Sequence, residues 1–125
     1  MVWVLTEDSS LNDEEMSWLA AELVSAGCRD AVCSGYDCSK WDAVVDWAYL
    51  RTCPDYATED HNFVMTTWHE DENLGDIAFF FANNTAFEAF VPHHFLVLSI
   101  DAGPLAGQAF AEARGCLADR LSLNN

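Results

Sequence analysis

The sequence predicts a single α/β domain: about four mostly parallel strands alternating strictly with helices, β-α-β-α-β-α-β-α, with helices on both faces of the sheet. Three observations carry this. Four short runs are rich in β-branched and aromatic residues, and each is followed by a segment whose apolar residues recur with the 3.6-residue helical period. The length, 125 residues, suits one hydrophobic core, since domains are commonest at roughly 100–150 residues. Strand-to-strand connections through a helix are right-handed and cover both sides of the sheet, so this alternation favours parallel strands.

Val2-Trp3-Val4-Leu5-Thr6, followed by polar Glu7-Asp8-Ser9-Ser10, predicts a buried first strand and a loop. A helix follows: Asn12 with Glu15 forms a capping box, Met16, Leu19, Ala20, Leu23 and Val24 make one apolar face, and Gly27 ends it. Residues 29–36 predict the second strand. Ser39 with Asp42 is expected to open the second helix, whose apolar positions are Trp41, Val44, Val45 and Ala48. Arg51 to Asp60, with Pro54, reads as a surface connection, and His61 to His69 as the third strand. Asp71 is expected to cap a third helix with the stripe Leu74, Ile77, Ala78 and Phe81, widened by Phe79 and Phe80; Asn83-Asn84 ends it. His94 to Ile100 predicts a nearly all-apolar fourth strand, and Gly103-Pro104 opens a last helix with the stripe Phe110, Ala113, Leu117 and Leu121.

Charge is the strongest compositional signal. The chain holds 21 Asp and Glu against 5 Lys and Arg, a formal net charge of −16, yet it is 51% hydrophobic with five Trp, eight Phe and three Tyr. A disordered acidic tail lacks such apolar content, so the pattern is that of a folded domain with an acidic surface. That surface is repelled by nucleic-acid phosphates and anionic membranes, which argues against direct binding to either and for a basic protein partner. The first 62 residues hold 13 acids and 3 bases, net −10, against 8 and 2, net −6, in the remainder. The N-terminal stretch lacks a signal-peptide pattern, and no apolar run approaches the roughly 18 residues of a membrane span; a soluble, cytoplasmic protein is expected. The five cysteines, Cys28, Cys33, Cys38, Cys53 and Cys116, are odd in number and contain no C-x-x-C pair, which favours reduced, buried thiols over a disulfide framework or zinc ribbon.

A parallel open sheet ends all its strands at one edge, where ligands usually bind. Glu7, Asp8, Asp37, His69 and Asp101 would converge there, and carboxylates with one His could hold Mg²⁺ or Mn²⁺ for hydrolysis. The competing explanation is that acids occupy loops and helix N-termini, where the dipole stabilises them. Gly103-Pro104-Leu105-Ala106-Gly107 lacks the lysine and spacing of a phosphate-binding loop, and neither Ser9 nor Ser34 sits in G-x-S-x-G. A Cys33–His69 pair is left open by spacing alone. No cofactor is predicted.

The segment Met65-Thr66-Thr67-Trp68-His69-Glu70-Asp71-Glu72-Asn73-Leu74, with the Phe79-Phe80-Phe81 run and the strand Phe95 to Ile100, resembles small bacterial α/β proteins of uncharacterised role over about residues 60–101. In size and acidity the whole chain also resembles bacterial immunity proteins and phage-encoded inhibitors of defence nucleases, anti-CRISPR proteins among them. This second likeness is one of character and transfers no residue roles. It implies an inhibitor that covers a basic, nucleic-acid-binding surface of a bacterial protein. Glu14, Glu15, Glu22, Asp42, Asp46, Asp55, Glu59 and Asp60 are then the contact candidates, with Trp18 and Trp47 as aromatic anchors lying off their helices' apolar stripes. A metal-dependent hydrolase and a homodimeric interaction module are the alternatives.

Overall fold

The computed structural model describes residues 1–7, 11–53, 64–83, 94–100 and 103–123. Four strands alternate with four helices: β1 (Val2–Thr6), α1 (Asp13–Ser25), β2 (Asp30–Gly35), α2 (Cys38–Leu50), β3 (Met65–His69), α3 (Leu74–Asn83), β4 (Leu96–Ile100) and α4 (Leu105–Leu123). The sheet is wholly parallel in the order β3-β2-β1-β4. The chain thus steps outward from β1 through β2 to β3, then returns to the other side of β1.

Strand alternation sorts the core into two halves, because successive side chains point to opposite faces. Val2, Val4, Ala31 and Cys33 pack on one face with Met16, Ala20, Leu23 and Val24 of α1 and Trp41, Val45 and Ala48 of α2. Trp3, Leu5 and Val32 pack on the other with Ile77, Ala78 and Phe81 of α3 and Ala109 and Ala113 of α4. Trp3 is fully buried and stacks at a tilt on Phe81, 5.9 Å between ring centroids. Its indole N–H donates to Ser34 Oγ at 2.8 Å, and the Trp41 indole donates to Thr6 Oγ1 at 3.1 Å. Each large apolar side chain therefore has its polar atom satisfied where burial would otherwise penalise it.

The α1 capping box is present, with Glu15 N–H bonded to Asn12 and the Asn12 N–H bonded to Glu15. Gly27, at φ 96°, takes the left-handed position that ends α1. Four expectations are corrected. The residue before α2 is Asp37, in the left-handed region at φ 52° and without a side-chain capping bond, so Ser39 and Asp42 lie inside the helix. Asn73, not Asp71, caps α3: its side chain accepts the Asp76 N–H at 2.8 Å and donates to the Asp76 carboxylate, while Asp71 sits at φ 56° in the turn before it. Ala113 and Leu117 of the α4 stripe face the core as expected, joined by Ala109, but Phe110 is 48% exposed; the side chain of Leu121 lies outside the described residues. Phe79 likewise points outward rather than widening the α3 stripe. Of the third strand predicted over His61 to His69, Met65–His69 is strand and 61–63 lie outside the described residues. No helix among the described residues is long and apolar enough to cross a membrane.

Candidate functional site

The strand order places a topological switch between β1 and β4, whose following helices lie on opposite faces; in open parallel sheets the crevice beyond such strand ends is the usual ligand site. Here the chain fills it with its own carboxylate. Glu7 follows β1 directly, and its two oxygens accept the backbone N–H groups of Gly103, at 2.5 Å, and Leu105, at 2.7 Å, at the start of α4. An anion at a helix N-terminus satisfies N–H groups that lack intrahelical partners and sits at the positive end of the dipole. A Cβ at position 103 would come within 2.9 Å of the Glu7 carboxyl carbon, so a side chain there would have to displace the carboxylate from its present position.

The other candidate metal ligands are drawn to separate partners. Asp37 pairs with Lys40, 3.4 Å apart on the surface. His69, 8% exposed, holds Glu72 through Nδ1 at 3.0 Å and Thr67 through Nε2 at 3.1 Å, with its ring 4.7 Å from that of Phe80. Asp8 and Asp101 lie outside the described residues. Among the described residues no group of three or more His, Cys, Asp or Glu side chains gathers where it could hold a metal ion. A cavity of about 190 Å³ does open at this edge, lined by Thr6, Leu11, Met16, Tyr36, Asp37, Lys40 and Trp41, and of the candidate ligands it reaches Asp37 alone. Cys33 belongs to the core on the α1–α2 face, whereas His69 packs on Phe80 of the opposite layer, so the sheet separates that pair. Burial raises the thiols of Cys28, Cys33 and Cys38 above their ordinary range, leaving them poor nucleophiles.

The outer side of the α1–α2 layer has a different character. Trp18 is 65% and Trp47 55% exposed, and Glu14, Glu15 and Glu22 are exposed beside Trp18 on α1. Trp18 falls midway between the buried Met16 and Ala20, which at 100° per residue puts it opposite the core. Trp47 lies over a cleft of about 200 Å³ between the two helices, with Ser17, Ala43, Val44, Ala48 and Arg51 as the other lining residues.

Asp42 and Asp46, expected on this acidic face, are turned toward β3 and half-buried. Thr66 donates its hydroxyl to Asp42, and Asp46 Oδ1 lies 3.5 Å from the same oxygen. Burial, and then the neighbouring Asp42 charge, raise the Asp46 carboxyl above the usual carboxylate range, against the smaller opposing effect of Thr66. The helical wheel carried this signal: each aspartate follows a buried residue, Trp41 and Val45, and so flanks the core rather than opposing it. Asp55, Glu59 and Asp60 lie outside the described residues. Sequence reasoning missed the exposed Trp68 of β3 and the capping role of Glu7.

A family model described as a domain of unknown function matches residues 1–114. No curated protein and no solved structure matches the chain.

Proposed function

The chain belongs to the DUF7684 family, whose description assigns no activity, and we propose that it is a non-catalytic acidic inhibitor of the immunity or anti-defence type, which binds and masks a basic, nucleic-acid-binding surface of a bacterial protein. The observation that carries this reading is the pair of exposed tryptophans, Trp18 and Trp47, on the outer side of one helical layer beside Glu14, Glu15 and Glu22. Tryptophan is the residue most enriched among binding hot spots, and surrounding acids supply the charge that steers a basic partner into place. The net charge of −16 extends that field over the whole molecule. The Glu7 carboxylate at the start of α4 also fits an inhibitor, because it occupies the position a ligand anion would take at the sheet's switch point.

Capture on the immobilised protein at about 50 and about 500 mM salt tests the reading through the screening of exposed charges. The expected result is one basic nucleic-acid-binding protein, weakened at high salt, whose hold on nucleic acid is blocked by the added chain. A Trp18→Ala/Trp47→Ala double variant should lose at least about tenfold in affinity for it. Unchanged affinity of the double variant removes the α1–α2 face from the interface, and a partner that keeps its nucleic acid when bound removes the masking.

A further inference from the structure

We infer that the outer edge of β3 is a second contact surface, which takes an extended basic segment of a protein partner as an added strand. The backbone sets the geometry. β3 ends the sheet, and none of the described strands pairs with its far side. The Met65 N–H donates inward to Arg29 O at 2.9 Å. Because N–H and C=O groups of successive strand residues alternate in direction, those of Thr66 and Trp68 point outward along the edge.

Natural edge strands are usually blunted by lysine, proline or a bulge. The sequence Met65-Thr66-Thr67-Trp68-His69 contains neither of those residues, and its register with β2 is unbroken over five pairs. Instead the edge is flanked by acids. Asp42 and Asp46 reach Thr66 from α2, and Glu70, Asp71 and Glu72 are exposed just beyond the strand. Trp68 shares the strand face of Thr66 and is 49% exposed.

These features define the occupant by charge complementarity. A residue opposite Thr66 on an added strand would have its Cβ about 5 Å away, within reach of both aspartates for an Arg or Lys side chain. A second cation two residues along lies over the Trp68 ring, where a guanidinium is attracted to the aromatic face. Burial, and then the neighbouring Asp42 charge, already raise the Asp46 carboxyl, and an incoming cation offsets both. A second copy of the chain is disfavoured, since the same acids would meet across the joint. Main-chain bonds supply affinity and the alternating side chains supply choice, as in other strand-addition complexes. The inference rests on the reading of a basic protein partner given above but uses a different face of the molecule.

The probe is a fluorescent, end-blocked peptide of alternating Arg and Val, six residues long, titrated into the full chain and followed by anisotropy and by amide hydrogen exchange. Binding should slow exchange at Thr66 and Trp68, weaken about tenfold or more in Asp42→Asn/Asp46→Asn, and persist in Trp18→Ala/Trp47→Ala. Two further peptides, N-methylated either on the Arg amides or on the Val amides, use the wild-type protein and separate strand pairing from charge. One should lose about tenfold or more and the other should hold, since only alternate amides face the edge. Equal effects of the two methylations, equal binding of a Glu-Val peptide, or no binding of the Arg-Val peptide overturns the assignment. So does edge protection that grows with protein concentration alone, which identifies a second copy as the occupant. Retained peptide binding alongside failure of the tryptophan variant to weaken the captured partner leaves the β3 assignment standing and removes only the α1–α2 reading.

Discussion

Glu7 and Gly103, 96 residues apart in sequence, meet carboxylate to backbone N–H at 2.5 Å and join the end of β1 to the start of α4. The contact ties the end of an interior strand to the helix that covers one of its faces. Glu7→Gln keeps one accepting oxygen but turns an NH₂ group toward backbone donors, and should destabilise by about 1–2 kcal/mol in urea unfolding. Gly103→Ala should destabilise in the parent chain because its Cβ meets the Glu7 carboxyl, and should do so much less in a Glu7→Ala background. Additive effects in that double-mutant cycle would separate the two residues energetically.

Asp46 gives a pH signature. Its carboxyl is raised in the folded state by burial and by Asp42, so the folded chain binds the proton more tightly than the unfolded one. Its ionisation therefore destabilises the fold as pH rises through and above the ordinary carboxylate value, and this cost is absent at lower pH where both states are protonated. Asp46→Asn should raise the melting temperature at pH 7 and leave it nearly unchanged at pH 3. An equal shift at both pH values would mean that the carboxylate charge is not the cause.

Thiol labelling should divide the cysteines by burial. Cys28, Cys33 and Cys38 are buried free thiols with raised pKa, whereas Cys53 and Cys116 are half-exposed. Native iodoacetamide labelling should reach Cys53 and Cys116, and the Cys116 reaction should quicken at alkaline pH because burial and the charges of Glu112 and Asp119 raise its thiol. The other three should react only on unfolding, which intact mass and peptide mapping can count.

Ser34→Ala removes the acceptor of the fully buried Trp3 indole N–H. An indole left without a partner in the core should cost about 1–3 kcal/mol. Ser34→Thr, which keeps the hydroxyl, separates this loss from a packing effect: it should recover part of the stability if the hydrogen bond matters.

The fold was legible wherever pattern and burial agree. The capping box of α1 and its apolar face appear in the structure as the periodicity predicts, because both signals are local. In the α4 stripe Ala113 and Leu117 meet the core as the periodicity predicts, but Phe110 was chosen over Ala109 because it outweighs alanine on any hydropathy scale, although the small Ala109 and Ala113 are what let α4 pack close to the sheet. Asp71 and Asn73 are both good capping residues, and only the backbone decided between them. In the candidate site, Trp18 and Trp47 were readable as positions off their stripes. Asp42 and Asp46 were misplaced because their i, i+4 spacing was weighed without the neighbouring strand that supplies Thr66. The role of Glu7 was hidden because its partners are distant in sequence and are backbone atoms, which no side-chain motif can announce.

Central placement of β1 also imposes an order on folding. Residues 2–6 pair on one side with 31–35, a short closure through α1, and on the other with 96–100, a closure spanning most of the chain. Loop-closure entropy favours the first, so β1, α1, β2 and α2 can condense early while the opposite face of β1, carrying Trp3 and Leu5, stays uncovered. During synthesis that greasy surface waits for α3, β4 and α4 to emerge, and the last of them follows several seconds later at about 5–20 residues per second. The high negative charge keeps nascent copies apart for that time, which gives the acidity a use before any partner is met.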